Sequence, residues 1–474
     1  MPKLPLKRTM IGSSQSLEPT KRFRRNVSNM YRFHIGIITP PPHPARPSLI
    51  LRAHPAQPHP MHHIVAIATL LLGIAVILAG NGLLGTLLGV RGEMEGFSSA
   101  TLGLVTSAYF AGFVAGTFIV PRIIRRVGHI RMFAALASVA SVVTLLHGML
   151  VYPSAWFLLR ILSGICIVGL YIVIESWLNE QTANEHRGHV FSAYMTTTLI
   201  GLGIGQVLLM AGDIATLHLF AIGSVLLSLG LVPVALTRVQ EPDLVEAQHL
   251  GLRNLYAISP LGVVGCVFAG LGTGAFWGLA PVMAVGIGLQ AGGVAGFMGL
   301  TILGGVLMLW PVGRLSDRFD RRTVLMWVCV LAALAATLAL VLSRLETGWL
   351  LLGGFLYGAV GFSIYALSAA HTNDHIESDQ VLEVASSLQL LWGAGAIVGP
   401  ILAGILMQWT DPTALLPFIA IAALLPGIFA RYRMSVSEAI PMDDQGDFVP
   451  QFATSPAALE MHPEAHEEDE ATNT

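Results

Sequence analysis

The sequence predicts an all-α integral membrane protein with twelve transmembrane helices in a six-plus-six pseudo-symmetric arrangement, and three observations carry that prediction. Of 474 residues, 54% are hydrophobic and only 11% charged, against roughly 25% charged in water-soluble globular proteins. Apolar runs of the ~20-residue length that crosses a ~30 Å hydrocarbon core as a helix recur along the chain. Arginine falls almost entirely between those runs. Glycine, at 50 residues, exceeds the usual ~7%, as expected where helices pack closely in lipid.

The first 61 residues hold ten Lys or Arg, one acid (Glu18) and eleven Pro, a composition that cannot build a packed core. They read as a disordered basic extension; they have the look of a transit peptide, and the simpler reading is that translation starts at Met61, directly before the first span. Apolar runs follow near 64–87, 99–119, 132–152, 155–178, 190–211 and 216–236, making a first half over 62–237. A polar hinge loop over 238–256 leads to six more, near 258–286, 291–312, 323–343, 348–370, 385–408 and 413–431, a second half over 257–434. Residues 435–474 carry ten acids and no Lys or Arg, and are expected to be a disordered tail without stable contacts.

Orientation follows from arginine, which cytoplasmic loops retain. With the N-terminus inside, thirteen arginines fall on inward connections and the C-terminal flank, and only Arg91 and Arg344 on outward ones. Both termini are expected in the cytoplasm. The halves also correspond at a nearly fixed offset. Adding 194 maps Gly164 onto Gly358, Tyr171 onto Tyr365, Gly201 onto Gly395 and Gly205 onto Gly399, and adding 192 maps Arg126 onto Arg318. Cys166, Cys266 and Cys329 lie singly inside apolar runs, which gives no disulfide framework and no metal-ligand spacing.

The connection after the eighth run reads Gly313-Arg-Leu-Ser-Asp317-Arg318-Phe-Asp320-Arg321-Arg322. It resembles the G-x-x-x-D-R-x-G-R-R loop of the major facilitator superfamily, departing in Asp320. The copy after the second run, Pro121-Arg122-Ile-Ile-Arg125-Arg126-Val-Gly128-His129-Ile-Arg131, departs further, with Pro121 at the first Gly and Arg125 at the Asp. Arg160-x-x-x-Gly164 is similar to the superfamily's fourth-helix motif. With Glu175-Ser-Trp-Leu-Asn-Glu180, Gly205-Gln206 and Trp310-Pro311-x-Gly313, the chain resembles the YcaD-like branch of bacterial members over residues 64–434. The resemblance implies the major facilitator fold, alternating access and a multi-pass place in a bacterial inner membrane; it implies no substrate. Gly395-x-x-x-Gly399-Pro400 looks like an antiporter motif moved to the wrong half, and reads rather as small-residue packing with a helix bend.

Candidate functional residues follow from the cost of burying polar groups in lipid. For substrate binding or coupling these are Arg160, Glu175, Asn81, Gln206, Tyr194, Trp277, Tyr365, Gln389 and Trp392. A cytoplasmic gate is expected from Arg125, Arg126, Gly128, Arg131, Glu180, Gly313, Asp317, Arg318, Arg321 and Arg322, with Asp317 as latch and Glu180 or Glu175 offsetting Arg125 and Arg126. These arginines can equally serve topology alone. Arg160 and Glu175 are the only strong charges well inside one run; at ~1.5 Å and ~100° per residue they lie ~22 Å apart along a helix and ~60° apart around it, so both can face one cavity. Glu175 then reads as a proton carrier, or else as an ion-pair partner of Arg125, Arg126 or Arg187. His147 is expected near the outer interface, and His371, Asp374 and His375 at a solvated helix end rather than a metal site.

No G-x-x-x-x-G-K-[ST] loop occurs and no Lys lies beyond residue 21, which excludes direct ATP coupling through this chain. No catalytic cluster suggests an enzyme, and no repeated polar rings suggest a channel. The sequence is read as a monomeric secondary transporter in the lipid bilayer, moving a small solute with protons as coupling ion. It is expected to have no cofactor, metal or nucleic-acid partner. A gradient-driven facilitator and a transporter-like sensor are the alternatives. The buried Arg points to an anionic group on the solute, and the Trp and Tyr residues to an apolar or aromatic part.

Overall fold

The computed structural model describes residues 60–182, 186–236, 250–376, 380–438, 440–441, 445–446, 448–451, 453–455 and 458, with side chains from Val65 onward. Among them are twelve helices long and apolar enough to cross a membrane, and no strand. We number these α1 (Val65–Met94), α2 (Ser99–Val127), α3 (His129–Met149), α4 (Pro153–Gln181), α5 (Arg187–Ala211), α6 (His218–Leu236), α7 (Pro260–Gly286), α8 (Ala291–Ser316), α9 (Arg321–Leu345), α10 (Thr347–Asn373), α11 (Val381–Trp409) and α12 (Pro412–Val436). Each coincides with one apolar run of the sequence. Several run on beyond it. α2 continues to Val127 with Arg122, Arg125 and Arg126 on its last turns, because charge ends the apolar run while backbone hydrogen bonding continues; ~29 residues make a ~43 Å helix, longer than the ~30 Å core.

The two halves repeat one packing scheme. α1 packs on α5 and α6 as α7 packs on α11 and α12, α2 on α4 as α8 on α10, and α3 on α4 and α6 as α9 on α10 and α12. Glycines at corresponding positions permit these approaches. A methyl group on Gly164 would meet the Tyr109 carbonyl of α2, and one on Gly358 the Thr301 carbonyl of α8. Likewise Gly201 and Gly205 face the Ala75 and Ala79 carbonyls of α1, as Gly395 and Gly399 face those of Val267 and Leu271 in α7. Backbone-to-backbone packing is therefore the role of the Gly395/Gly399 pair, and α11 stays helical through Pro400. α10 is interrupted at Phe362, between Leu350–Gly361 and Ser363–Asn373.

Across the halves, α2 meets α11 as α8 meets α5, and α1 and α2 meet α7. The closest approaches lie toward the arginine-poor end, where Gly103 faces the Pro400 carbonyl, Gly404 faces that of Ser99, and Gly89 faces Pro281. Of the expected hinge, residues 250–256 are described and enter a short helix, Leu252–Ile258. The basic extension lies outside the described residues up to Pro60.

The tail departs from expectation. Gln451, Thr454, Ser455 and Ala458 are buried, and the segment touches both halves at the arginine-rich end. Phe448 N–H donates to Asp317 Oδ1 (2.8 Å) and the Gly446 carbonyl accepts from Arg321 Nη2 (2.7 Å), both in the second half. The Ser455 hydroxyl donates to Glu175 in the first. The physical reason is local: residues 448–459 contain no charged group, although acids crowd on either side.

Candidate functional site

A cavity of about 190 Å³ lies at the junction of the halves. From the first half α1 contributes Asn81 and Thr86, α2 contributes Tyr109, Phe110 and Phe113, and α4 contributes Arg160 and Tyr171. From the second half α7 contributes Thr273 and Trp277, α10 contributes Phe362 and Tyr365, and α11 contributes Trp392. Five sequence candidates thus converge: Arg160, Asn81, Trp277, Tyr365 and Trp392.

Arg160 is 7% exposed, and its guanidinium carbon stands 4.1 Å from the centre of the Tyr109 ring. This cation–π contact is favourable, yet it supplies no negative charge, and no carboxylate among the described residues pairs with Arg160. The Gly164 contact that brings α4 against Tyr109 also sets the distance between ring and guanidinium. Opposite them the aromatic wall is itself packed. Trp277 stacks on Phe362 (centroids 5.6 Å, 18° between planes), and Trp392 meets Phe110 edge-on at 5.8 Å. The Trp392 indole N–H donates to Thr273 Oγ1 (3.2 Å), which fixes the ring's tilt.

Glu175 lies closer to the arginine-rich end and is fully buried. Its carboxylate accepts hydrogen bonds from the Tyr194 and Ser455 hydroxyls. Among the described residues no arginine pairs with it, so the expected pairing with Arg125, Arg126 or Arg187 is not what the structure forms. Glu180 is exposed at the end of α4. Tyr194 is thus a partner of Glu175 and not a cavity wall. Gln206 and Gln389 do not line the cavity either. Gln206 accepts from the Thr86 hydroxyl (2.6 Å) and donates to the Gly82 carbonyl (3.3 Å), tying α5 to α1. Gln389 is buried with its Nε2 unpartnered. His147, in the last turn of α3, is fully buried, and its Nδ1 lies 2.8 Å from the Val143 carbonyl.

The gate-loop candidates divide by half. Arg321 is buried and donates from Nη1 to Asp374 Oδ1 (2.5 Å), with Asp317 at a looser 3.4 Å. Asp374 is therefore the principal counter-charge and Asp317 a secondary one. Burial raises the Asp374 carboxyl above the ordinary range, and the Arg321 guanidinium opposes that rise. His371, expected in solvent, is buried beside this pair. Arg322 pairs with Asp320 (3.2 Å) and donates to the Ser437 and Glu438 carbonyls. Gly313 carries the Phe448 ring against its Cα, where a methyl group would collide with it, and Arg318 is exposed. In the first half Gly128 turns the chain at φ 85°, a backbone conformation suited to glycine, and Arg125, Arg126 and Arg131 are exposed.

Sequence reasoning missed Tyr109, Thr86, Phe110, Phe113 and Phe362 in the cavity, and Asp374 at the loop. Tyr109 carried a usable signal, since it is a phenol inside an apolar run just like the tyrosines singled out. Asp374 had one too: at the offset of 194 it is the counterpart of Glu180.

The family model of the major facilitator superfamily matches residues 70–310 and 262–441. The uncharacterized MFS-type transporter YcaD of Escherichia fergusonii is 26% identical over 357 residues, which is 75% of this chain and 92% of that protein. The YcaD transporter of Salmonella paratyphi B is 29% identical over 364 residues, with the same coverage. Among solved structures, the nucleoside transporter NupG superposes with a TM-score of 0.65 at 15% identity, covering 78% of this chain and all of that one. A bacterial homologue of the lysosomal transporter Spinster, in an inward-facing conformation, gives 0.59 at 15%, covering 84% and 97%. At such identities these two similarities speak for the fold alone. Twelve apolar helices and bacterial relatives make this a multi-pass inner-membrane protein whose work is transport of a small molecule. The chain, YcaD-like in its motifs, belongs to the major facilitator superfamily.

Proposed function

We propose that the protein is a proton-coupled secondary transporter of a small organic anion with an aromatic or apolar body, working by alternating access with both termini in the cytoplasm. The observation that carries this reading is that α4 holds two buried charges, Arg160 and Glu175, neither paired with an opposite charge among the described residues. An unpaired cation at membrane depth is costly, and an anionic solute between Arg160 and the aromatic wall would supply the missing charge. A neutral nucleoside, the solute named for NupG, would not. Glu175 is surrounded by hydroxyls, which can hydrogen-bond either the carboxylate or the acid, so it can gain and lose a proton without disrupting its partners.

The first test is thermal stability of the purified protein with aromatic carboxylates and their neutral amides. A ligand of the folded state at ~100 times its Kd adds ~2.7 kcal/mol. Stabilisation by the acids alone, lost in Arg160→Gln, is expected; equal stabilisation by the amides removes the anion assignment. With a substrate in hand, Glu175→Gln should abolish gradient-driven accumulation and spare exchange of labelled for unlabelled solute. Accumulation that survives this change favours the uncoupled facilitator instead.

A further inference from the structure

We infer that the cytoplasmic funnel of this transporter is a binding site for the chain's own C-terminal segment, which plugs it and holds the transporter off. The inference rests on the alternating-access reading above and adds regulation to it. Three observations converge on the described residues 446, 448–451, 453–455 and 458. First, the segment reaches the substrate cavity, where Ala453 and Thr454 form part of the lining. Second, it bridges the halves: the Ser455 hydroxyl bonds Glu175 of α4, and Ala458 belongs to the buried apolar cluster of the first half. Gly446 and Phe448 bond Arg321, Asp374 and Asp317 of the second half. Third, the composition suits burial. The uncharged stretch 448–459 is flanked by Asp443, Asp444 and Asp447 on one side and by Glu460 and the acids beyond on the other. A segment kept in solvent has no need of that pattern.

Mechanical consequences follow from the placement. The halves already touch through glycine backbones at the opposite end, so the next step of a transport cycle is to close the cytoplasmic end. The segment stands where the halves must meet, and its hydroxyl occupies the carboxylate that the proton must reach. It must therefore leave before the carrier can turn over. The bound and free forms are two populations of one chain, and removing the segment moves all molecules into the free one.

The test reads accessibility and needs no substrate. A cysteine at Leu202, which lines the cavity, is alkylated with a membrane-impermeant maleimide added on either face; the three native cysteines are buried and set the background. Three forms carry it: the full chain, a chain ending at residue 441, and full-length Ser455→Asp, whose carboxylate would face Glu175 at the same buried point. If the segment is bound ~90% of the time, freeing it raises the labelling rate roughly tenfold. Both altered forms should show that rise, and a synthetic peptide of residues 442–460 should reverse it for the shortened chain only. Equal rates in all three forms, with unchanged melting temperatures, overturn the plug. Should shortening lower the melting temperature, Ser455→Asp decides alone. Loss of coupling in Glu175→Gln is a separate readout, so the plug can fail while the transport reading stands, and the reverse.

Discussion

The two halves share a packing scheme yet place their charges differently. At the offset that superposes their glycines, Arg160 corresponds to Gly354, Glu175 to Ala369 and Glu180 to Asp374. The first half keeps its charges within the membrane and leaves its loop arginines exposed. The second half has small residues at those depths, Gly354 pressed against Phe297 and Thr301 and Ala369 buried, and concentrates its charges in the buried Arg321–Asp374 pair at the loop. A duplicated scaffold has thus divided the labour: one half carries chemistry in its span, and the other carries an ionic brace at its end.

Moving charge into the wrong half gives the largest expected effect. Ala369→Glu puts an unpartnered carboxylate into a filled site, and charge burial with overpacking should cost about 4–6 kcal/mol, read as a collapse of yield and melting temperature. A well-folded variant would break the comparison. Next is Asp374→Asn, which leaves buried Arg321 only the looser Asp317 as counter-charge and should cost about 3–4 kcal/mol, whereas Glu180→Gln at the equivalent position should stay within about 0.5 kcal/mol. Similar losses from both would mean that the first loop is braced as well. Asp317→Asn should cost only about 1 kcal/mol, since Asp374 still holds Arg321, while labelling of a funnel cysteine speeds up as the Phe448 contact weakens. The smallest effect belongs to the exposed Arg344–Asp411 pair at the far end. The Thr413 hydroxyl and Arg344 hold the Asp411 carboxyl below its usual range. Its contribution, at most about 0.5 kcal/mol, is present above about pH 4 and lost as the pH falls through the lowered pKa. A pH-independent effect of Asp411→Asn would remove the ion pair from the account.

The spans and their pairing were legible in the sequence because apolar length and the cost of buried charge are local properties. Arg160 stood out for that reason, and its place in the cavity follows from Gly164 one turn away. Contacts set by distant chain segments left weaker marks. Asp374 meets Arg321 across 53 positions of sequence, and nothing near Asp317 showed that a better partner would arrive. Glu175 looked as though it needed an arginine, but two hydroxyls reached it first, one of them 280 positions away. Counting the tail's charge over forty residues hid the uncharged stretch inside it.

The glycine contacts at the arginine-poor end set the physics of that gate. The ion pairs of Arg91 with Glu95 and of Arg344 with Asp411, which lie toward that end, each stay within one half. The halves meet there through Gly103, Gly404 and Gly89. Parting such surfaces breaks short-range dispersion contacts and neither of those ionic bonds. Opening on that face should therefore be indifferent to ionic strength and sensitive to the size of a single side chain. One added methyl group at Gly103 or Gly404 would keep the faces from meeting, leaving a valve that cannot seat.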